Sequence, residues 1–219
     1  DLTHLLDNEY IYEAELEQTA ANEITGMRRT RGWTDNQYVY FVAQFSKPFQ
    51  AIDFIQNKKM VSAGVKLNGT DLQACLSFDN SNGEPVIAKV GLSIVSEKNA
   101  RENLETEVIG FDFDAVRSAA RSAWEQALSA ITVKGGNTDD LKNFYTAMYH
   151  SMVVPNVVSD INGEYRRHNM EIGQLPKGKV QYSTFSLWDT FRAWNPLMTL
   201  IDTTSVSYTH LTLPTILLV

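Results

Sequence analysis

Three residues within one short stretch could do recognition chemistry together: Trp188, Asp189 and Arg192, inside the segment YSTFSLWDTFRAWNPLMTLI at residues 182–201. Leu187, Phe191, Trp194, Met198 and Ile201 recur every three or four residues there, which predicts a helix with one apolar stripe turned to a core. Asp189 and Arg192, three apart, then neighbour each other on the opposite side, with Trp188 between them and the stripe. An aromatic ring can stack on the C–H face of a pyranose while a carboxylate and a guanidinium fork take vicinal hydroxyls. The alternative is local: Ser186 caps a helix start and Asp189 complements the positive end of its dipole. Pro196 cannot donate to the carbonyl of Arg192, so the helix is expected to kink or loosen there.

The elements that must position this surface change character along the chain. Residues 1–95 alternate apolar and polar with period two. Tyr10, Tyr12, Ala14 and Leu16 are expected on one face of a strand and Glu13, Glu15 and Glu17 on the other. Residues 38–45 are aromatic and β-branched, as strands prefer. Asn68-Gly69 and Asn82-Gly83 predict tight hairpin turns. Several short strands at this spacing imply an antiparallel sandwich. From Ser96 the period becomes 3.6. Residues 97–107 read as a polar helical connector. A long amphipathic helix follows, with the stripe Phe113, Val116, Ala120, Trp124, Ala127 and Ile131, and Gly135-Gly136 ends it. Thr138 opens the next, with the stripe Leu141, Phe144, Tyr145, Met148 and Met152, and Pro155 closes it. Asn162-Gly163 is a turn between short extended pieces.

With 19 basic and 26 acidic residues, the net charge of −7 argues against nucleic-acid and anionic-membrane surfaces. Arg28, Arg29 and Arg31, the one tight basic cluster, read as a solvated loop. Cys75 alone excludes an internal disulfide and suits a small buried strand position. No apolar run approaches the ~20 residues that a membrane span needs. The four histidines show no metal-ligand spacing, and Tyr149-His150 reads as packed helix. No Gly-rich phosphate loop or nucleophile elbow occurs.

SLWDTFRA, together with FDFDAVRSAARSAW at 111–124 and FYTAMYHSMVVPNVVSDINGEYR at 144–166, resembles glycoside hydrolase family 92, calcium-dependent exo-acting α-mannosidases that invert the anomeric centre. The resemblance covers about residues 1–204. It implies the C-terminal part of a β-sandwich domain at 1–95, a helical linker at 96–112 and the first helices of an (α/α)6 catalytic toroid at 113–204. Residues 205–219 resemble nothing in the family and read as a non-native tail. The family loop that projects from the sandwich towards the sugar often carries a Phe-Cys pair; Gly32-Trp33 stands in its place here. By resemblance the substrate-binding residues are Asp189, Trp33 and Gly32, with Trp188 and Arg192 beside them. The catalytic acid, the base and most of the calcium ligands are expected outside the chain. The expectation is a fragment of an extracytoplasmic exo-α-mannosidase acting on mannose-containing glycans, with calcium as cofactor. A non-catalytic β-sandwich carbohydrate-binding module is the alternative; helices after residue 112 speak against it, since such a module has no use for the opening of a toroid.

Overall fold

The computed structural model describes residues 1–6, 9–32, 34–61, 66–183 and 187–203. Eight strands come first: β1 (Tyr10–Ala20), β2 (Glu23–Arg31), β3 (Gln37–Phe45), β4 (Ala51–Gln56), β5 (Lys59–Val61), β6 (Leu67–Gly69), β7 (Leu72–Ser77) and β8 (Ala88–Ser93). Helices α1 (Glu97–Glu107), α2 (Phe113–Leu128) and α3 (Thr138–Ser151) follow, then the hairpin β9 (Glu164–Arg166) and β10 (Ile172–Gln174), then α4 (Leu187–Thr190) and α5 (Trp194–Ile201). The change of hydrophobic period near Ser96 is the boundary between strands and helices, and the short hairpin follows the turn expected at Asn162-Gly163.

The strands form two antiparallel sheets, β6-β1-β2-β3-β8 and β5-β4-β7. Ala14, Leu16 and Leu67 from the larger sheet meet Phe54 and Leu72 from the smaller, with Ile11, Phe41, Ile52 and Ala74 packed around them. Burying a side chain such as Phe54 or Leu72 completely contributes roughly 1.5–3 kcal/mol, and both are 0% exposed. Helix α1 covers the other face of the larger sheet through Ala100 and Leu104 against Val42 and Tyr40. Gly91 of β8 makes that docking possible, because a Cβ there would lie 2.6 Å from the Cβ of Leu104 and closer still to the carbonyl of Ala100.

Expected turns are partly displaced. Asn68 and Gly69 lie inside β6, paired to Glu15 and Ala14. Gly83 is a turn residue with φ +70°, yet it links strands of different sheets and closes no hairpin. The tight hairpin between β4 and β5 uses Asn57 and Lys58 at φ +52° and +62°. In β1 a register shift between Ile11 and Glu13 leaves Tyr12 as an extra residue opposite β2. A one-residue bulge swaps faces. Ala14 and Leu16 therefore stay buried while Tyr10 and Tyr12 turn outwards, and Ile11 packs on the core in their place. Cys75 on β7 is exposed, not buried.

Helix α1 is polar by composition, but its inner side is buried: Asn99, Ala100, Asn103 and Leu104. The polar pair is satisfied. Asp160 accepts hydrogen bonds from Asn99 Nδ2 at 2.7 Å, Asn103 Nδ2 at 2.8 Å and Ser93 Oγ at 2.7 Å. Arg101 on the same helix forks onto Glu23, both bonds at 2.7 Å. Asp160 opens the segment that carries β9 and β10, so this network ties the hairpin to α1.

The chain divides into two compact units, Asp1–Phe113 with Ser159–Lys179, and Asp114–Val158 with Val180–Val219. In the second, α3 is capped by Asn137, whose side chain accepts from Asp140 N–H. Its inner stripe ends on buried Met148, whereas α2 buries none of its residues. Helix α2 ends at Leu128, before Ile131 and well before Gly135. No helix among the described residues is long and apolar enough to cross a membrane.

Candidate functional site

In the first unit the relevant piece is the connection between β2 and β3. Gly32 follows the last residue of β2, and its N–H donates to the carbonyl of Thr34 at 3.0 Å. A Cβ at Gly32 would stand 3.1 Å from Cγ of Glu9, so the absence of a side chain lets the N-terminal segment approach closely. Trp33 lies outside the described residues. Arg31 and Asp35 form an exposed ion pair at 3.4 Å across the loop.

Beneath that loop lies a feature that sequence reasoning misread. Arg28 and Arg29 belong to no solvated loop; both are half-buried inside β2. Arg29 Nε donates to Asn36 Oδ1 at 2.9 Å, and Nη2 donates to the same oxygen. Its guanidinium sits 5.3 Å from the Tyr12 ring centre and 5.4 Å from that of Tyr38. Tyr38 is in turn covered by the Arg166 guanidinium at 4.4 Å. Arg166 is held by the carbonyls of Ile94 at 2.7 Å, Val95 at 3.1 Å and Met170 at 3.2 Å. Tyr12, Arg29, Tyr38 and Arg166 thus alternate in one ladder of rings and guanidinium planes. Parity carried a signal, since Thr25 and Met27, buried on the same side of β2, share the face of Arg29, but it competed with the basic cluster.

In the second unit, the long helix expected over residues 187–201 is two pieces. Helix α4 stops at Thr190 and α5 begins at Trp194. Pro196 is the third residue of α5, within the first turn, where its missing N–H costs nothing. The break follows from proline, as expected, but it lies three residues earlier. It also dissolves part of the predicted apolar stripe: Met198 is buried at 3%, while Phe191 is 57% exposed. Trp194 keeps its place, its Nε1 donating to the carbonyl of Ser151 at 2.6 Å at the end of α3.

The polar surface survives the break. Trp188 is 89% exposed, so its ring faces are uncovered. Asp189 and Arg192 are exposed beside it, with no ion pair joining them among the described residues. The Arg192 guanidinium leans over the neighbouring Phe191 ring at 5.7 Å. Ser186, the expected cap, lies outside the described residues. Trp188, Asp189 and Arg192 fall in one unit and Gly32 in the other.

The second unit also contains an apolar cavity of about 430 Å³. Ala120, Trp124 and Ala127 of α2 line it with Met152, Met198 and Ile201. Trp124 packs on Tyr149, ring centres 4.5 Å apart. His150 is exposed rather than packed. Among the described residues no three His, Cys, Asp or Glu gather to hold a metal ion.

Residues 1–93 match the glycosyl hydrolase family 92 N-terminal domain, and residues 99–213 match the family 92 catalytic domain. A family 92 α-mannosidase from Bacteroides thetaiotaomicron superposes with a TM-score of 0.80 at 32% identity over 87% of this chain, and has also been solved with mannoimidazole. A family 92 inverting mannosidase from Bacteroides thetaiotaomicron VPI-5482 has the same fold, with a TM-score of 0.77 at 23% identity over 88% of this chain. A secreted glycosidase of Arthroderma benhamiae, itself uncharacterized, is 35% identical over 150 residues, 63% of this chain. The chain spans 26% of the length of each of the two solved structures and 18% of the secreted relative.

Proposed function

We propose a function from one premise: the chain belongs to glycosyl hydrolase family 92, its sheets being the family's N-terminal domain and its helices the beginning of the catalytic domain. The protein containing this chain is an inverting exo-α-mannosidase that removes terminal mannose from glycans. The observation that carries this reading is the 32% identity to a family 92 α-mannosidase across 87% of the chain.

Hydrolysis with inversion needs an acid to protonate the leaving oxygen and a base to activate water, the two carboxyls ~6.5–9.5 Å apart. In this reading both lie elsewhere in the enzyme, and this chain supplies sugar recognition. Trp188 offers a stacking face for the pyranose ring. Asp189 accepts hydrogen bonds from hydroxyls, and Arg192 donates to them in a fork. Gly32 and Trp33 add a second contact from the sheet domain. Exposure of Trp188 and the two charged side chains on one short stretch supports this use. Calcium belongs to the remainder of the enzyme, and no step above passes through it. Action outside the cytoplasm fits the secreted relative.

The test is release of free mannose from an α-linked mannobiose by the full-length enzyme, with the anomer followed by proton NMR. Appearance of β-mannose first is the expected result. α-Mannose first, or no mannose with intact calcium-loaded enzyme, overturns the reading.

A further inference from the structure

Asn68-Gly69-Thr70 is the only Asn-X-Ser/Thr triplet in the sequence. An Asn-Gly pair is ordinarily explained by a turn, and this one makes none: Asn68 is the middle residue of β6, the outer strand of the five-stranded sheet, opposite Glu15 of β1. Asn and Gly are both poor strand residues, so each calls for a reason. Gly69 has one, since a Cβ there would stand 2.9 Å from Gln56 Nε2, which donates to the carbonyl of Asn68 at 2.7 Å. Asn68 has none of the usual ones. Its side chain is exposed and its amide makes no hydrogen bond among the described residues, while neighbouring Lys66 and Glu15 satisfy each other at 2.6 Å. The other two Asn-Gly pairs differ. Asn82 Oδ1 accepts from Glu84 N–H at 3.1 Å and from Lys47 Nζ at 3.0 Å, and Asn162 Oδ1 accepts from Glu164 N–H at 2.9 Å, so both amides are engaged in their own turns.

We propose that Asn68 is the acceptor of an N-linked glycan, transferred from an oligosaccharide carried on a polyprenyl pyrophosphate. Nδ2 of Asn68 bonds to C1 of the first sugar as the bond between C1 and the pyrophosphate oxygen breaks. The lipid pyrophosphate leaves with that electron pair, and the nitrogen gives up one proton. The transferase reads the triplet through the hydroxyl two residues on, and Thr70 is exposed as well. The folded strand also suits a modified side chain. Leu67 turns the other way into the sandwich and is 8% exposed, so a glycan on Asn68 stands outside while the buried contact of β6 is kept. A bulky hydrated group there shields the sheet's outer strand, the place where another chain could pair. This rests on the reading that the protein acts outside the cytoplasm, because the transferase meets only chains that cross a membrane.

The experiment produces the full-length enzyme in a eukaryotic cell, once with its native N-terminal sequence and once behind a supplied secretion leader. The secreted protein is treated in heavy-oxygen water with an amidase that removes N-linked glycans, and the peptide containing Asn68 is read by mass spectrometry. The expected result is conversion of Asn68 to heavy-oxygen Asp in most molecules, kept in Thr70→Ser and lost in Thr70→Ala and Asn68→Gln. Mannose release from α-linked mannobiose by these variants is expected within about twofold of the parent, which shows that they fold. Secreted, active enzyme whose Asn68 peptide stays unlabelled behind the supplied leader overturns the inference. Label that persists in Thr70→Ala does so too, since it then comes from spontaneous deamidation. Retention of the native form inside the cell overturns the extracytoplasmic reading and takes the inference with it, and the supplied-leader form tells the two failures apart.

Discussion

Asp189 has two possible uses at the residue scale, and their magnitudes separate them. As a helix-start charge it stabilises by about 0.3–1 kcal/mol, and Asp189→Asn should then shift melting slightly and leave kinetics intact. As a hydroxyl acceptor it contributes roughly 1.5–3 kcal/mol to the bound sugar, so kcat/KM of the full-length enzyme should fall tenfold to a hundredfold with little change in Tm. The second outcome is expected; a change confined to melting assigns Asp189 to the helix alone. Glu23 offers a contrasting carboxylate, buried and committed to structure. The Arg101 fork is the largest influence on it and outweighs the cost of burial; with Thr19 and Gln44 it holds the Glu23 pKa at about 2, well below the 4.5 of a free glutamate. The native state therefore binds this proton less readily than the unfolded chain does. Stability from the pair is complete above pH ~4.5 and disappears as pH falls towards ~2, an amount on the order of 3 kcal/mol. Urea unfolding at stepped pH should show Glu23→Gln with a shallower loss between pH 5 and 2 than the parent. Equal slopes would mean that the ion pair contributes nothing to acid sensitivity.

At the scale of elements, α1 depends on Gly91. Adding a methyl group there drives Cβ into Ala100 and Leu104, neither of which is a flexible side-chain end, so Gly91→Ala should cost about 1–3 kcal/mol and lower Tm measured by circular dichroism. Unchanged melting would show that the helix can ride up from the sheet without penalty. The same helix marks the limit of what the sequence made legible. Its existence and its place at the switch of period were readable, because period is a local property. Its docking was not, since Asn99 and Asn103 look solvent-facing until Asp160, some sixty positions away, supplies their acceptor. The outward turn of Tyr10 and Tyr12 hid for a similar reason: the bulge is fixed by pairing with β2, and alternation alone assumes none. Pro196 announced a break, and that break falls between Thr190 and Trp194, so that the proline sits in the first turn of α5. Of the proposed recognition surface, Trp188, Asp189 and Arg192 could be named from spacing, whereas the place of Arg29 within β2 needed the cross-strand register.

At the scale of the whole molecule, the exposed stripe of α2 and the apolar cavity beside it mean that this chain presents apolar surface to solvent. Purified by itself it should bind an apolar fluorescent dye and associate as concentration rises, and it should release no mannose from α-linked mannobiose. A dye-silent, monodisperse monomer would contradict the first expectation, and measurable mannose the second. The division of the chain adds a matter of timing. Residues 159–179 complete the first unit, yet residues 114–158 of the second are made before them. At roughly 5–20 residues per second, a ribosome exposes α1 for some seconds before Asp160 arrives to accept from Asn99 and Asn103. During that interval the sheet domain has its apolar core but lacks the hairpin that closes its polar side. Nascent chains stalled before residue 159 should be cut by protease within α1, and those stalled after the hairpin has emerged should resist; identical patterns would mean that α1 docks without waiting. The synthesis order of this protein thus makes the second unit's first two helices a delay line for the first.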